Sequence, residues 1–191
     1  TMGWQPGNLI VLGARPSVGK TAFALNLARN AAVEFGEGVA FFSLEMTDME
    51  LTDRLIASES GISADKLKGK VKMNPEEWVV LEQSIKRLVK APLYIDETPG
   101  ITLTEFTAKA KRLVREKGVK IIFVDYLQLM HSGKPQQGGF SKVQEVTEIS
   151  NTLKTTAKDL KVPIIALAQL NRNLMSRAGS NGKPVLSDLK D

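Results

Sequence analysis

The sequence contains no cysteine and a single histidine, His131. Without cysteine there can be no disulfide, thiolate nucleophile or thiolate metal ligand, and one histidine excludes a zinc centre built from several imidazoles. Long apolar runs are also missing, since no stretch approaches the roughly 18 apolar residues of a membrane-spanning helix, and the first residues lack the pattern of a secretion signal. We therefore expect a cytoplasmic protein, without a membrane partner, whose chemistry depends on carboxylates, lysines, arginines and bound ions.

The sequence has only a small excess of basic over acidic residues, since 26 basic and 21 acidic residues give a net charge of +5. A basic balance favours polyanionic partners, but an excess of this size is common among proteins that never bind nucleic acid. With 42% hydrophobic and 25% charged residues, the composition is that of an ordinary globular protein, long enough for one substantial core. We predict a single domain over residues 1–191.

Short apolar runs alternate with segments of helical periodicity, which is typical of βαβ units and a parallel sheet. The predicted strands are 8–12, 38–44, 92–96, 120–124 and 163–168, and their continuous apolar character predicts central strands. Helices are predicted over 21–35, from caps at Thr47, Asn74 and Thr102, and through 143–160. The pattern predicts an α/β fold, with a mostly parallel central sheet covered by helices on both faces.

The strongest chemical signal lies between the first predicted strand and the first predicted helix, where residues 13–21 satisfy G-x-x-x-x-G-K-[ST]. The predicted nucleotide-binding segment consists of Gly13, Ala14, Arg15, Pro16, Ser17, Val18, Gly19, Lys20, Thr21 and Ala22. Its glycines let successive N–H groups face a phosphate, and the helix N-terminus adds its positive end. Lys20 is predicted to contact the β- and γ-phosphates, and Thr21 to offer its hydroxyl to Mg²⁺. The sequence therefore predicts a site for ATP or another NTP with Mg²⁺.

A magnesium-nucleotide site also needs an acidic residue at the end of a neighbouring strand. Asp125 ends the apolar run 121–124 and fits this role, although a strand-terminal Asp that only caps the next turn is the alternative. The residue after Asp125 is Tyr126, which excludes ATPases whose general base directly follows this Asp. The base is therefore expected on another strand.

Glu45 is the candidate base, because the run 41–44 leads it to the carboxyl edge of the predicted sheet, where such folds bind ligands. A solvated acid before the helix cap is the alternative, and Asp96 with Glu97 forms a second candidate pair. Gln169 ends the last apolar run, so its amide could donate to the γ-phosphate and report its loss. An ordinary polar strand end is the competing interpretation of Gln169.

Five segments together resemble the motifs of DnaB-family replicative helicases, a branch of the RecA-like ATPases, and they occur in the same order. They are Gly13 to Ala24, Phe42-Ser43-Leu44-Glu45-Met46, Asp125-Tyr126-Leu127-Gln128-Leu129-Met130, Ala168-Gln169-Leu170-Asn171-Arg172 and Ser187-Asp188-Leu189-Lys190-Asp191. The resemblance implies a hexameric ring that encircles single-stranded DNA, hydrolyses ATP and translocates at a replication fork. By motif matching, Lys20, Thr21 and Asp125 hold nucleotide and Mg²⁺, Glu45 is the catalytic base and Gln169 is the γ-phosphate sensor.

The same resemblance carries expectations about DNA and partners. The family's central loops hold the DNA backbone, so Lys183 and Lys190 become candidate DNA-binding residues. Primase and a helicase loader are candidate partners besides the chain's own copies. No segment of residues 1–191 resembles the family's last strands or its arginine finger. We therefore expect full catalytic activity to need a part of the protein outside the segments that resemble the family.

Two other kinds of P-loop protein, a different ATPase and a phosphotransferase, remain as alternatives. A RecA- or KaiC-like ATPase of recombination or clock type shares the phosphate loop, the second-strand Glu and the Gln, but the stretch 125–130 favours the DnaB family. A non-motor P-loop phosphotransferase would need an acceptor pocket and usually an arginine-rich lid, and no compact segment of the sequence reads as one.

Overall fold

A five-stranded parallel sheet forms the centre of the protein in a computed structural model, which describes residues 3–131 and 142–170, with side chains in the second range from residue 144. The strands are β1 (Leu9–Ala14), β2 (Gly38–Ser43), β3 (Leu93–Asp96), β4 (Val119–Asp125) and β5 (Ile164–Gln169). Their order across the sheet is β1-β5-β4-β2-β3, and each neighbouring pair is parallel. The predicted α/β class is confirmed.

Helices follow the strands along the chain. They are α1 (Lys20–Arg29), α2 (Asp48–Ser60), α3 (Ala64–Leu67), α4 (Pro75–Lys90), α5 (Leu103–Lys117) and α6 (Lys142–Leu160). The predicted helix 21–35 is α-helical only as far as Arg29 and continues as a π-helical turn over Asn30–Glu34. A 3₁₀ turn, Leu127–Leu129, follows β4. None of the helices in the described ranges is long and apolar enough to cross a membrane.

Local capping chemistry explains where three of these helices begin. Thr47, Asn74 and Thr102 each accept a hydrogen bond from the N–H three residues later, and the Glu at that later position bonds back to the cap. The predicted starts of α2, α4 and α5 are therefore confirmed. The single-turn helix α3 was not predicted, because four residues are too short to display a helical period.

Both faces of the sheet are buried, and β2 shows why its residues 39–42 are all apolar. Ala40 and Phe42 belong to the core beneath α5 and α6, where the Phe42 and Phe106 rings meet edge to face at 4.8 Å. Val39 and Phe41 belong to the opposite core, beneath α1 and α2. A strand covered on both sides has no alternating polar positions.

The expectation that all five strands are central was wrong for two of them. Within the described residues, β1 and β3 form the edges of the sheet, and their side chains are mostly half-buried. Val11 of β1 is 40% exposed. Apolar runs of four to six residues reveal that a segment pairs in a sheet, whereas its place in the strand order depends on the crossover connections.

Candidate nucleotide-binding site

The carboxyl ends of the strands meet at one edge of the sheet, where a cavity of about 660 Å³ opens beside the loop between β1 and α1. Its lining comes from the loop and the start of α1, from the turn after β2, from α2 and from the end of β5. The lining residues are Arg15, Pro16, Ser17, Gly19, Lys20, Thr21, Ala22, Glu45, Met46, Glu50, Arg54 and Gln169. Residues far apart in sequence thus surround one space, since parallel strands end at the same edge.

The loop before α1 has the backbone shape of an anion cradle. Ser17 and Gly19 adopt left-handed conformations, with φ of 64° and 92°. A side chain at Gly19 would find open space, so the need for glycine there is conformational. Helix α1 begins after Gly19 with no side-chain cap and no acidic residue in its first turn, which leaves its positive end available to a phosphate.

Lys20, on the first turn of α1, lies between two groups at the end of β4. Its Nζ is 3.4 Å from Asp125 Oδ1 and 4.3 Å from the centre of the Tyr126 ring. The lysine side chain is 10% exposed and the aspartate side chain 1% exposed. A cis peptide bond joins Asp125 and Tyr126. The positive charge of Lys20 is therefore held at the edge of the cavity, stabilised by a carboxylate and an aromatic face.

Asp125 is a fully buried carboxylate at the end of β4. Neither of its side-chain oxygens accepts a hydrogen bond in the described part of the protein, and Lys20 is its partner in an ion pair. A buried charge of this kind is costly unless cations compensate it. The described residues contain no cluster of three or more potential metal ligands. This donor set fits Mg²⁺, which keeps several waters and takes few protein ligands, better than a metal that needs a complete protein cage.

Tyr126 lies within electrostatic range of both Glu45 and Asp125. Burial, and then the negative charges of Glu45 and Asp125, raise the pKa of its hydroxyl above the usual value of 10.0. The hydroxyl consequently stays protonated at neutral pH and remains able to donate a hydrogen bond. Glu45 and Asp125, which follow or end different strands, are therefore both close enough to Tyr126 to affect its hydroxyl electrostatically.

The turn that carries Glu45 is fixed by the buried hydroxyl of Ser43. Ser43 Oγ donates to the Met46 carbonyl at 2.6 Å and accepts from the Met46 N–H at 3.3 Å. The next residue, Leu44, donates its N–H to the Asp125 carbonyl at 2.7 Å, which ties the turn to the end of β4. The Glu45 side chain itself is exposed and lines the cavity, where a water molecule can reach it.

The second candidate pair, Asp96 and Glu97, is engaged elsewhere. Burial acts to raise the pKa of Asp96, but hydrogen bonds from Lys109 and Thr98 outweigh it and lower the pKa below its ordinary value. Glu97 accepts a hydrogen bond from the backbone N–H of Asp48 at the start of α2, at 2.6 Å. Neither residue lines the cavity. These contacts give both carboxylates structural partners and favour Glu45 as the candidate base.

Gln169 ends β5, half-buried, at the rim of the cavity. The N–H of the following Leu170 donates to the carbonyl of Ala14 at 3.0 Å, so the end of β5 is joined to the strand that leads into the phosphate loop. In the register of the sheet, Gln169 pairs with Ala14. This arrangement sets Gln169 beside the loop that begins one residue after Ala14.

Sequence reasoning missed part of the lining and included residues that do not line the cavity. Arg54 and Glu50 of α2 also line the cavity, although the sequence marks Glu50 only as the capping-box partner of Thr47 and marks Arg54 by no motif. Arg15, which belongs to the predicted segment but occupies a free position of the motif, does line the cavity. Conversely, three residues of the predicted segment are not among the lining residues: Gly13, Ala14 and Val18.

The candidate DNA-binding residues cannot be compared with this geometry. Lys183 and Lys190 lie outside the described residues. Their assignment to DNA therefore stays a prediction.

Known proteins resemble this chain over its entire length. The family model described as the DnaB-like helicase C-terminal domain matches residues 1–191. The replicative DNA helicase DnaB of Geobacillus stearothermophilus is 44% identical over 192 residues, which cover 100% of this chain and 41% of that relative. The chain thus spans about two fifths of the length of this curated relative.

Solved structures show the same likeness in three dimensions. A structure of a DnaB-like replicative helicase, described together with its interactions with primase, superposes with a TM-score of 0.87 at 33% identity and covers 97% of this chain and 44% of that one. A second solved structure, of an ATPase domain, has the same TM-score and identity, covering 98% of this chain and 65% of that one. The match over the whole sequence, together with this fold, shows that the chain belongs to the family of DnaB-like helicase C-terminal domains.

Proposed function

We propose that this chain is the ATP-hydrolysing motor domain of a replicative DNA helicase, which works as a hexameric ring on single-stranded DNA. The observation that carries the proposal is the shared cavity at the carboxyl edge of the sheet. It brings Lys20, Thr21, Glu45 and Gln169 together around one space, with the buried Asp125 beside Lys20. Primase, named with one structural neighbour, and a helicase loader are proposed as further partners.

Nucleotide binding is assigned to the loop and the first turn of α1. The backbone N–H groups of the loop bind phosphate oxygens, and the Lys20 ammonium moves from Asp125 towards the β- and γ-phosphates of ATP or another NTP. Asp125 and Thr21 would hold Mg²⁺, which neutralises negative charge on the phosphate oxygens when it is bound. The exchange of partners is favourable, because a phosphate chain offers Lys20 more negative charge than one carboxylate.

Hydrolysis is assigned to Glu45. A water oxygen forms a bond to the γ-phosphorus, the bond from that phosphorus to the β–γ bridging oxygen breaks, and the proton of the water goes to the Glu45 carboxylate. ADP and phosphate are the products. Gln169 donates its side-chain amide to the γ-phosphate and loses that contact when the phosphate leaves. Its position at the end of β5 connects this event to the residues that follow.

The test is ATP turnover of the intact protein with and without single-stranded DNA. We expect DNA to stimulate turnover in the wild type and Lys20→Ala to abolish it, since the variant loses the mobile positive charge for the β- and γ-phosphates. Lys90→Ala serves as the matched control, because Lys90 is exposed at the end of α4 and does not line the cavity. If single-stranded DNA did not change the rate of ATP turnover, the proposed motor function would be wrong. If Lys20→Ala kept nearly wild-type turnover, the assignment of the nucleotide-binding site would be wrong.

A further inference from the structure

The end of β5 is held by a side chain from the turn after β4. Gln128, in the 3₁₀ turn Leu127–Leu129, donates its Nε2 to the carbonyl of Gln169 at 3.0 Å. The N–H of Gln169 donates in return to Gln128 Oε1 at 3.4 Å. One amide side chain therefore satisfies both backbone groups of the residue at the rim of the cavity.

These bonds replace sheet pairing that has already ended. The register of β4 with β5 runs from Ile122 to Val124 and stops at Ala166, three residues before Gln169. On its other side β5 stays paired with β1 as far as Ala14 and Gln169. Without Gln128, the last backbone groups of β5 that face β4 would lack this partner, and among the described residues the strand end would be held on the side of β1 alone.

We propose that Gln128 is a positioning residue, which fixes the backbone of Gln169 so that its side chain meets the γ-phosphate. This inference rests on the proposed role of Gln169 as the γ-phosphate sensor. Gln128 lies in the turn that begins two residues after Asp125, so it joins the end of the metal-binding strand to the end of the sensor strand. It is not among the residues that line the cavity, so its effect reaches the nucleotide through Gln169.

The chemistry of the contact explains why an amide stands at this position. A primary amide presents donor and acceptor groups side by side, which match the C=O and N–H of a single residue. A glutamate of the same shape offers only acceptors when ionised, and it would face the Gln169 carbonyl with negative charge. Gln128→Glu should therefore break the contact while changing the volume very little.

The test separates turnover from nucleotide binding in the intact protein. We expect Gln128→Ala and Gln128→Glu to lower kcat by about 10-fold to 10²-fold, the scale of a misplaced catalytic geometry. Both KM for ATP and the Kd of a fluorescent ATP analogue should stay within about twofold, because the phosphate loop is untouched. Gln83→Ala and Gln83→Glu are matched controls, since Gln83 is exposed on α4.

A double-variant cycle shows whether Gln128 acts through Gln169. If it does, Gln128→Ala combined with Gln169→Ala turns over no more slowly than Gln169→Ala alone. Additive losses, or a Kd that rises as much as kcat falls, would make Gln128 a merely structural residue and overturn the proposal. Unchanged kcat in both Gln128 variants would also overturn it. If Gln169→Ala alone keeps full turnover, the sensor assignment itself fails, which is a separate result.

Discussion

At the scale of single residues, the groups around an aspartate decide what its carboxylate can do. The same residue type at the end of β3, Asp96, forms hydrogen bonds with Thr98 and Lys109, whereas Asp125 has an ion pair with Lys20 and no hydrogen-bond donor within the described ranges. A carboxylate whose oxygens already accept hydrogen bonds stabilises the fold, whereas we propose that Asp125, whose oxygens accept none from the described residues, binds Mg²⁺. The two strand-terminal aspartates differ because their neighbours differ.

Glu45 is the residue whose replacement should separate nucleotide binding from chemistry. Glu45→Gln keeps the size of the side chain but cannot accept the proton of the attacking water. We expect turnover to fall by about 10²-fold or more, the usual scale for the loss of a general base, with unchanged nucleotide affinity. Steady-state ATPase rates and equilibrium nucleotide binding measure the two effects.

The second candidate pair provides the comparison for this experiment. Asp96→Asn and Glu97→Gln change carboxylates that contact Lys109 and the start of α2 and do not line the cavity. Both variants should retain most of the turnover. A large loss in either of them, with normal turnover in Glu45→Gln, would mean that the base lies on β3 and that the choice of strand was wrong.

At the scale of elements, an ion pair ties an edge strand to a helix. Asp96, the last residue of β3, lies 2.6 Å from Nζ of Lys109, which belongs to α5. Because β3 pairs with one neighbour among the described strands, this contact secures an edge that lacks pairing on its other side. The lowered pKa of Asp96 means that folding favours the charged carboxylate.

The ion pair between Asp96 and Lys109 should make the free energy of unfolding depend on pH. A carboxylate with a lowered pKa stabilises the fold above its unfolded pKa, ordinarily 3.8, and loses that contribution as the pH falls through its lower folded value. Asp96→Asn should therefore reduce the free energy of unfolding near neutral pH, and the difference from wild type should shrink below about pH 4. Urea denaturation at a series of pH values measures it.

An exposed aspartate is the control for this series. Asp53→Asn, on the surface of α2, should leave the free energy of unfolding nearly unchanged at every pH. A difference between Asp96→Asn and wild type that stays constant down to about pH 2 would show that lost packing, and not charge, explains the effect.

At the scale of the whole molecule, we propose that full turnover needs more of the protein than residues 1–191. The curated relative from Geobacillus stearothermophilus is more than twice as long as its match to this chain. An arginine supplied to the γ-phosphate by a neighbouring subunit is typically worth about 10³ to 10⁵ in rate for P-loop enzymes. Residues 1–191 contain the phosphate loop, Glu45 and Gln169, so we expect them to bind nucleotide alone but to hydrolyse it slowly.

The measurement compares turnover of residues 1–191 with that of a chain extended to the length of the curated relatives. Nucleotide affinities should be similar, whereas turnover per subunit should be much higher in the longer chain. Equal turnover would show that catalysis is complete within residues 1–191, and the mechanism at subunit interfaces would have to be abandoned.

DNA binding is a second property that we propose for the assembled molecule. Replacing both Lys183 and Lys190 by alanine should weaken single-strand binding about equally for all base sequences, because backbone contacts carry no sequence information. Each lost phosphate contact removes roughly 0.7 from the slope of log affinity against log salt, so two should change it by about 1.4. An unaltered slope would identify both lysines as solvated surface charges.

The sequence by itself determined the α/β class, the strand segments, the capped starts of α2, α4 and α5, and the phosphate-loop motif. These features depend on neighbours within a few residues: apolar runs, Thr or Asn caps with a Glu three positions later, and glycines at fixed spacing. Local interactions of this range are readable from a single chain, because side-chain periodicity and backbone preferences leave a direct mark on residue order.

The tertiary structure alone decided which strands lie at the edges, that Arg54 and Glu50 reach the cavity, and that Asp96 and Glu97 are engaged in other contacts. It also decided that Gln128 holds Gln169, across 41 positions of sequence. Such relations depend on the order β1-β5-β4-β2-β3, in which β1 pairs with β5 and β4 pairs with β2, although neither pair is consecutive along the chain. Even the consecutive strands β4 and β5 are separated by α6. Long-range pairing follows from the packing of the whole core, and no local pattern encodes the partner of a particular side chain.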